Sequence, residues 1–320
     1  MRIAYLVISH RRPEQVLRLV RTLREQPGAR VFVRHDQRRV PLARGEIESA
    51  GGRMVDDGWD VEWGGWSYLQ VLLAGLGTVA EEADPDWAIV LSGQDYPLGR
   101  PSELEHFLAR EGDDAHLPDA WRLDSLRLNG GSHDEFVLRY AYLHTRLPAG
   151  AALARRLPRR LAYARELPAS APALLGLRRL RTPFGPGLRC HVSADWPTLS
   201  RRALSAVLDF PKRHPDLMRL YRRSFVASES FFATVLMNDP ELSVGAGPHR
   251  FTHFPPGAPN PRTLTSADLN AMRASGAHFA RKFDPAVDAE VLDVLDRLRA
   301  DGSGRASLGR PWPEETSESP

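Results

Sequence analysis

Short apolar runs, rich in β-branched side chains, recur along the first hundred residues. They cover residues 3–9, 31–34 and 87–92, and runs of this length and composition are typical of strands buried in a parallel sheet. A further strand is expected within residues 52–61. Because strands of this kind are covered on both faces, the pattern predicts a sheet flanked by helices.

The stretches between these runs carry apolar residues at helical spacing. A helix is predicted after Pro13, a second over residues 67–82 with Ser67 as its N-cap, and a third that begins with a capping box of Ser102 and Glu105. Strands and helices therefore alternate along the chain. This order predicts an α/β fold with an open, mostly parallel sheet.

The second half of the chain returns to the same pattern. Its predicted elements are a strand over residues 191–200, a helix over 201–210, a helix over 227–237 that is opened by a serine, and a last amphipathic helix over 283–299. The sequence shows no internal repeat. We therefore expect a single domain over residues 1–300 and a disordered tail over 301–320.

Residues 151–190 differ in composition from the rest of the chain. They contain nine arginines and one acidic residue, Glu166, among many Leu, Ala and Pro residues. We expect an irregular helical insertion or lid there. Its arginines form either a solvated helical face or a surface that meets a membrane or the acceptor, and the sequence leaves both open.

The overall composition is that of an ordinary globular protein. Of the 320 residues, 42% are hydrophobic and 26% are charged, which excludes wholesale disorder. A single cysteine, Cys190, excludes an internal disulfide framework and favours a reducing compartment. There is no run of about 18 apolar residues, and the early charges are unlike a signal peptide. We expect a cytoplasmic protein without a transmembrane segment, and peripheral contact with the inner membrane face stays open.

Arginine dominates the basic residues. Of 43 Lys and Arg residues only Lys212 and Lys282 are lysines, and the formal net charge is +3. This bias belongs to the composition of the whole chain, so the arginine count is poor evidence for nucleic-acid binding, and we expect no nucleic-acid partner. In this background Lys282 is more informative than an arginine would be.

Two short motifs match ligand-binding patterns but stand in the wrong context. The glycine motif that begins at Gly75 lies inside a predicted helix instead of after a strand, so it forms no dinucleotide-binding turn. The Asp-Pro-Asp sequence from Asp84 to Asp86 precedes a strand, whereas ligands bind beyond the carboxyl ends of strands. We interpret it as a helix breaker, and we expect no metal and no cofactor.

Three polar residues, His10, Asp36 and Asp95, each lie in a loop that follows a predicted strand. The carboxyl ends of parallel strands meet at one edge of a sheet, so these residues are candidates for a nucleotide pocket. Asp95 has no second carboxylate two residues away, which gives a divalent cation little support. Ordering of the local loops is the alternative role for Asp36 and Asp95.

Five segments occur together in an order that one enzyme family shares. They are WGGWSYLQVLLAGL at 63–76, SGQDYPL at 92–98, WPTLSRRAL at 196–204, SESFFATVLMN at 228–238 and HFARKFD at 278–284. Together they resemble the family of core-2/I-branching β-1,6-N-acetylglucosaminyltransferases and peptide O-xylosyltransferases. The resemblance extends over about residues 2–298.

The resemblance implies a GT-A fold, which is a Rossmann-like sheet, and an inverting transfer in one displacement. The donor would be UDP-GlcNAc or UDP-xylose, and no metal would take part. The acceptor would be a hydroxyl of a glycan, a glycolipid, a protein or a small molecule. This chain lacks the cysteines of the family's animal members, which leaves the acceptor open.

Site residues carry over from the family's motifs one at a time. The family's catalytic base is a Glu in an Asp/Ser-Glu-x-x-x-x-Thr context, and Glu229 matches it. Basic residues near the C-terminus hold the donor diphosphate. Lys282 matches the last of them, Arg262 is the other, and Arg281 is an equal candidate beside Lys282. Trp66 fits the nucleotide pocket and fits the core equally well.

Weaker candidates are Arg139 on the acceptor side, and Arg250 and His253 near the phosphates. Two other functions stay open. One is a metal-dependent sugar-nucleotide transferase that uses Asp95 or the Asp-Pro-Asp carboxylates. The other is a non-catalytic basic binding module that uses the arginines of residues 151–190.

Overall fold

The computed structural model describes residues 1–62, 64–110, 112–128, 134–147, 158, 161–165, 173–245, 249–256, 258 and 260–301. Its strands, in chain order, are β1 (Ile3–Ser9), β2 (Arg30–His35), β3 (Arg53–Met54), β4 (Trp87–Ser92), β5 (Asp95–Pro97), β6 (Ala115–His116), β7 (Trp121–Arg122), β8 (Tyr142–Leu147), β9 (Ala162–Arg165), β10 (Ala173–Arg178), β11 (His191–Val192), β12 (Thr198–Ser200), β13 (Val244–Gly245), β14 (Arg250–Phe251) and β15 (Phe279–Arg281). Its helices are α1 (Pro13–Arg24), α2 (Arg44–Ser49), α3 (Trp66–Ala83), α4 (Pro101–Arg110), α5 (Asp134–Tyr140), α6 (Arg201–Arg213), α7 (Pro215–Tyr221), α8 (Ser228–Met237), α9 (Leu269–Ala274) and α10 (Val291–Ala300).

The central sheet has seven strands in the order β13-β6-β12-β4-β1-β2-β3. β1 pairs in parallel with β2 and β4, and β3 continues the parallel set beside β2. β12 runs antiparallel to both of its neighbours. The apolar runs at the start of the chain thus become adjacent parallel strands. The predicted α/β fold with an open, mostly parallel sheet is confirmed.

Helices cover both faces of this sheet. Ala4 and Leu6 of β1 pack into one core with α3, α6 and α8, while Tyr5 and Val7 pack into the other core with α1, α4 and α10. Successive side chains of a strand point to opposite faces, so a strand that is apolar throughout serves two cores. Of the helices in the described residues, none combines the length and the apolar character that crossing a bilayer requires.

The start of α3 differs slightly from the prediction. The helix begins at Trp66 with Gly65 at the N-cap position, so Ser67 is not the N-cap. The Ser67 hydroxyl accepts a hydrogen bond from the Glu62 backbone N–H (2.9 Å) and ties down the preceding loop instead.

Two other helices begin at residues that differ from the prediction. Ser102 already lies inside α4, and Glu105, expected to close a capping box, accepts a hydrogen bond from Gln26 (2.8 Å). The last helix begins at Val291, eight residues later than predicted. Its start is set by Asp288, whose carboxylate accepts the Val291 N–H (3.0 Å).

The helical insertion expected over residues 151–190 is wrong for the part that the structure describes. β8, β10 and β9 form a separate antiparallel sheet of three strands in that order. Burial alternates along β10, with Leu174 buried and Leu177 exposed, which is the period of a strand. The Tyr163 ring of β9 packs so closely on Gly176 that a Cβ there would lie 2.2 Å from it. The rest of this segment and the tail from residue 302 lie outside the described residues.

Two glycines of α3 predict opposite effects of the same substitution. A Cβ at Gly75 would lie 2.8 Å from the buried Leu6 side chain, whereas a Cβ at Gly77 meets nothing within 4 Å. Gly75→Ala is therefore expected to lower the free energy of unfolding by about 1–3 kcal/mol through overpacking. Gly77→Ala is expected to raise it by about 0.5–1 kcal/mol through helix propensity. Urea unfolding of both variants measures this, and equal effects would contradict it.

Candidate active site

Three strands bring one carboxylate and two arginines together at the carboxyl edge of the sheet. Asp95 opens β5, and Arg281 of the antiparallel β15 stands opposite it. β14, on the other side of β15, begins with Arg250. Asp95 is fully buried, and its Oδ1 lies 3.3 Å from Arg250 Nε and 3.4 Å from Arg281 Nε. Its Oδ2 accepts a hydrogen bond from the Ser92 backbone N–H.

Arg250 and Arg281 contact Trp196 in different ways. Arg250 donates to the carbonyls of Trp196 (3.2 Å) and Val90 (2.9 Å), and burial lowers the pKa of its guanidinium to about 10. The Arg281 guanidinium carbon lies 4.6 Å from the centre of the Trp196 ring, and 18% of this side chain is exposed. Arg250 therefore serves the scaffold, whereas Arg281 is available to a ligand.

Glu229, the predicted base, lies in the first turn of α8 with 30% of its side chain exposed. Its carboxylate forms an ion pair with Arg139 at the end of α5. Arg139 also binds Glu135 one turn earlier (2.7 Å) and lies over the Phe136 ring, 4.8 Å from its centre. These contacts fix the orientation of the Glu229 carboxylate and leave part of it open to solvent.

The structure adds a second carboxylate, Asp195, which no motif of the sequence indicates. The strand predicted through this region is split into β11 and β12, where Pro197 has no N–H for the ladder, and Asp195 lies in the break. An interaction with Ser228, which lowers the pKa of Asp195, ties the break to the start of α8. The Ser193 N–H, which donates to the Glu229 carbonyl (2.7 Å), is a second tie.

Glu229 and Asp195 share one electrostatic neighbourhood with Arg139 and Arg281. Burial, and after it the charge of Glu229, raise the pKa of Asp195 to about 7, against the opposing charges of Arg281 and Arg139. Burial also raises the pKa of Glu229, against the opposing charge of Arg139. A carboxylate with a raised pKa holds a proton more strongly, so this pair is suited to take a proton from a bound hydroxyl.

Lys282 follows Arg281 in the chain but faces other charges. Partial burial, and then the charges of Arg281 and Arg11, lower the pKa of Lys282, while Asp284 opposes the shift. Arg11 lies two residues after the end of β1, 4.0 Å from the Asp284 carboxylate. Arg11 and Lys282 thus form a second group of cations near the end of β1.

Arg262 is already engaged by an acid. Its guanidinium forms a two-point ion pair with Asp268, one contact being 2.8 Å long. The backbone two residues later runs beside Lys282, because the Leu264 N–H donates to the Lys282 carbonyl (2.9 Å). The structure therefore brings Arg262 near Lys282 in the backbone, and its contact with a diphosphate stays a prediction.

The remaining nucleotide-pocket candidates stand in different settings. Asp36 binds Arg38 (2.6 Å), and this hydrogen bond lowers the pKa of Asp36 to about 2. His10 directly follows β1, and desolvation together with the charge of Arg11 lowers its pKa. Trp66 packs against the core of the α3 face and lines a groove between α3, α6 and α7. Their nucleotide roles stay predictions.

The Asp-Pro-Asp sequence lies at the opposite edge of the sheet, before β4. Asp84 ends α3 in a left-handed conformation (φ 40°), as the helix-breaker interpretation predicts. Its carboxylate pairs with Arg2 (2.9 Å) and Arg201. Asp86 accepts the Arg2 backbone N–H (2.8 Å). Both carboxylates therefore join the start of β1 to the start of α6.

The chain is similar over most of its length to curated glycosyltransferases. It is 27% identical to β-glucuronosyltransferase GlcAT14A of Arabidopsis thaliana over 225 residues, which is 68% of this chain and 44% of that protein. It is 25% identical to human xylosyltransferase 2 over 324 residues, which is 92% of this chain and 33% of that protein. The chain thus spans less than half the length of these relatives.

Two other comparisons add less. No protein-family model matches the chain. Among solved structures, mouse xyloside xylosyltransferase 1 in its apo form aligns with a TM-score of 0.34 at 9% identity, covering 78% of this chain and 88% of that chain.

Asp195→Asn is expected to stabilise the protein in a pH-dependent way. The pKa of Asp195 rises from its ordinary 3.8 to about 7 on folding, so the ionised carboxylate opposes folding. This opposition is absent below about pH 4, grows as the pH rises, and is complete above about pH 7. We expect the variant to gain on the order of 1–3 kcal/mol of unfolding free energy near pH 8 and little near pH 4. Urea unfolding at both pH values measures this, and an equal gain at both would contradict it.

Proposed function

We propose that this protein is an inverting glycosyltransferase that moves a sugar from a UDP-sugar to an acceptor hydroxyl, with Glu229 as the general base. One observation carries the proposal. The partly exposed carboxylate of Glu229 and the Arg281 guanidinium both lie close enough to Asp195 for their charges to shift its pKa, in a chain that aligns over 92% of its length with a xylosyltransferase.

The reaction requires one proton transfer and one displacement. Glu229 accepts the proton of the acceptor hydroxyl as the hydroxyl oxygen forms a bond to the anomeric carbon of the donor. The bond from that carbon to the β-phosphate oxygen breaks on the opposite face, so the configuration inverts, and UDP leaves with the bonding electrons. General-base help of this kind contributes about 10²–10⁴-fold to the rate.

The departing diphosphate needs positive charge. Arg281 is held by Asp95 and Trp196 with part of its side chain exposed, and Lys282 follows it. Fixed cations that need no reorganisation stabilise developing negative charge effectively. We therefore assign the diphosphate to Arg281 and Lys282. Arg262 joins them only if binding releases it from Asp268.

A metal-dependent transferase is the second candidate. The carboxylates that would hold the metal already pair with arginines. Asp84 and Asp86 do so at the far edge of the sheet, and Asp95 faces two arginines. We therefore propose a reaction without a metal. Initial rates that are unchanged in EDTA are expected, and loss of activity that manganese restores would favour the second candidate.

The donor and the acceptor follow from similarity alone. UDP-xylose and UDP-GlcNAc are the donors that we propose, and the similarity to a glucuronosyltransferase adds UDP-glucuronate to the donors worth testing. The acceptor is a hydroxyl of a glycan, glycolipid, protein or small molecule.

Glu229→Gln is expected to remove transfer and to preserve donor binding. The amide keeps the size of the side chain but cannot accept the proton, so the rate of transfer should fall by about 10²–10⁴-fold. Turnover of a panel of UDP-sugars with detection of products by mass spectrometry measures the rate, and thermal shift with UDP measures binding.

Glu135→Gln is the matched control, because Glu135 binds the same Arg139 without being the base. Its rate should fall much less. Arg281→Gln and Lys282→Gln should instead weaken UDP binding by about tenfold, since each removes a charged contact. Full transfer activity in Glu229→Gln would end the assignment of the base.

The acid side of the pH–rate profile should respond in opposite directions to two substitutions. Transfer should rise with pH as the Glu229–Asp195 pair loses its proton. Arg139→Gln removes a positive charge that lowers the pKa of Glu229, so the rise should move to higher pH by about one unit. Asp195→Asn removes a neighbouring negative charge, so the rise should move to lower pH. Profiles of kcat/KM test this, and shifts in the same direction would contradict it.

A further inference from the structure

A basic surface with exposed leucines lies on the sheet β8-β10-β9 and the adjoining end of α7. Leu180 is fully exposed (102%), and Leu161 and Leu177 are 55% and 43% exposed. Arg181 and Arg223 are exposed beside them. We call these five residues the leucine–arginine surface.

Hydrogen bonds hold the parts of this surface together. The Arg178 N–H, next to Leu177 at the end of β10, donates to the Leu161 carbonyl (2.8 Å). Arg179 then reaches the segment after α7, where its Nη2 donates to the Arg223 carbonyl (2.9 Å). The leucines and arginines therefore share one side of the molecule through contacts between segments that are distant in the chain.

The two stretches that carry four of these five residues are strongly basic. Residues 173–190 and 217–226 contain seven arginines and no acidic residue. Asp216, just before the second stretch, pairs with Arg219. Arg178 and Arg179 bind backbone carbonyls, so Arg181 and Arg223 are the arginines of the surface that project freely enough to meet a partner.

We propose that the leucine–arginine surface binds an anionic lipid bilayer. Exposed guanidinium groups suit lipid phosphates and the negative surface potential of such a bilayer. A fully projecting side chain such as Leu180 inserts into a fluid acyl layer, whereas a protein partner must supply a matching pocket. Single-stranded nucleic acids that bind without sequence preference stack on aromatic side chains, and the five residues include none.

This binding would place the candidate active site next to the bilayer. The Arg179 N–H donates to the Ala141 carbonyl (3.0 Å), directly after α5, the helix that carries Arg139. The proposal does not depend on the proposed transferase function, because vesicle binding is measured without donor or acceptor.

Sedimentation with vesicles tests the proposal on the full chain. We expect binding to vesicles with equal amounts of phosphatidylcholine and phosphatidylglycerol, and much weaker binding to phosphatidylcholine alone. Arg181→Gln with Arg223→Gln should weaken binding by about 25-fold, since each arginine near an anionic surface contributes about fivefold. Leu161→Ser with Leu180→Ser should weaken it by about tenfold through lost apolar burial.

The controls are Arg297→Gln and Val287→Ser, which remove an exposed arginine and an exposed apolar side chain in and before α10, on the other side of the sheet. Both should bind vesicles like the unaltered chain, and an unchanged thermal melting curve shows that each variant is folded.

Absence of binding to the anionic vesicles would overturn the proposal. Weakening by the arginine changes alone would also overturn it, because the surface would then bind an acidic macromolecule through charge only. Competition by polyglutamate or duplex RNA would identify that partner.

Discussion

The ion pairs of Asp95 set the geometry of the carboxyl edge of the sheet. Burial of a carboxylate costs several kcal/mol unless cations and hydrogen bonds compensate it, so Arg250 and Arg281 must stay where Asp95 meets them. This requirement joins β5, β14 and β15, which come from distant parts of the chain. As a result Arg281 is in position against Trp196 before any ligand arrives. The cation that we assign to the diphosphate is thus oriented by the scaffold.

The carboxylates of the candidate site, unlike Asp95, are not fully compensated for their burial. Asp195 is desolvated with a negative neighbour, and its raised pKa means that its ionised form opposes folding. The backbone before α8 is strained as well, because Val226 is β-branched and has φ 50°. Its N–H donates to the Gly64 carbonyl (2.9 Å), and its carbonyl accepts from the Tyr140 hydroxyl (3.1 Å). Strain of about 1–3 kcal/mol per residue persists where surrounding contacts impose it, commonly at functional sites.

Arginine is so frequent in this chain that the presence of an arginine does not indicate its role. The contacts that each arginine makes do indicate it. Arg250 binds backbone carbonyls inside the scaffold, and Arg179 donates a hydrogen bond to a backbone carbonyl at the end of α7. Arg139 orients a carboxylate, while Arg181 projects into solvent. These uses differ in desolvation and in partner, which composition does not encode.

Local pattern determined the elements whose own side chains specify them. β1, β4, α3 and α8 are apolar at the spacing of a strand or helix, so their positions, and that of Glu229 in the first turn of α8, follow from the sequence and its motifs. Only the tertiary structure decided which charges meet. Asp195 becomes part of the site through a break between two strands, Arg262 is engaged by Asp268, and the arginine-rich segment contributes strands to a separate sheet. The reason is physical: pairing and desolvation arise between residues far apart in the chain, and periodicity reports only on neighbours within a few turns.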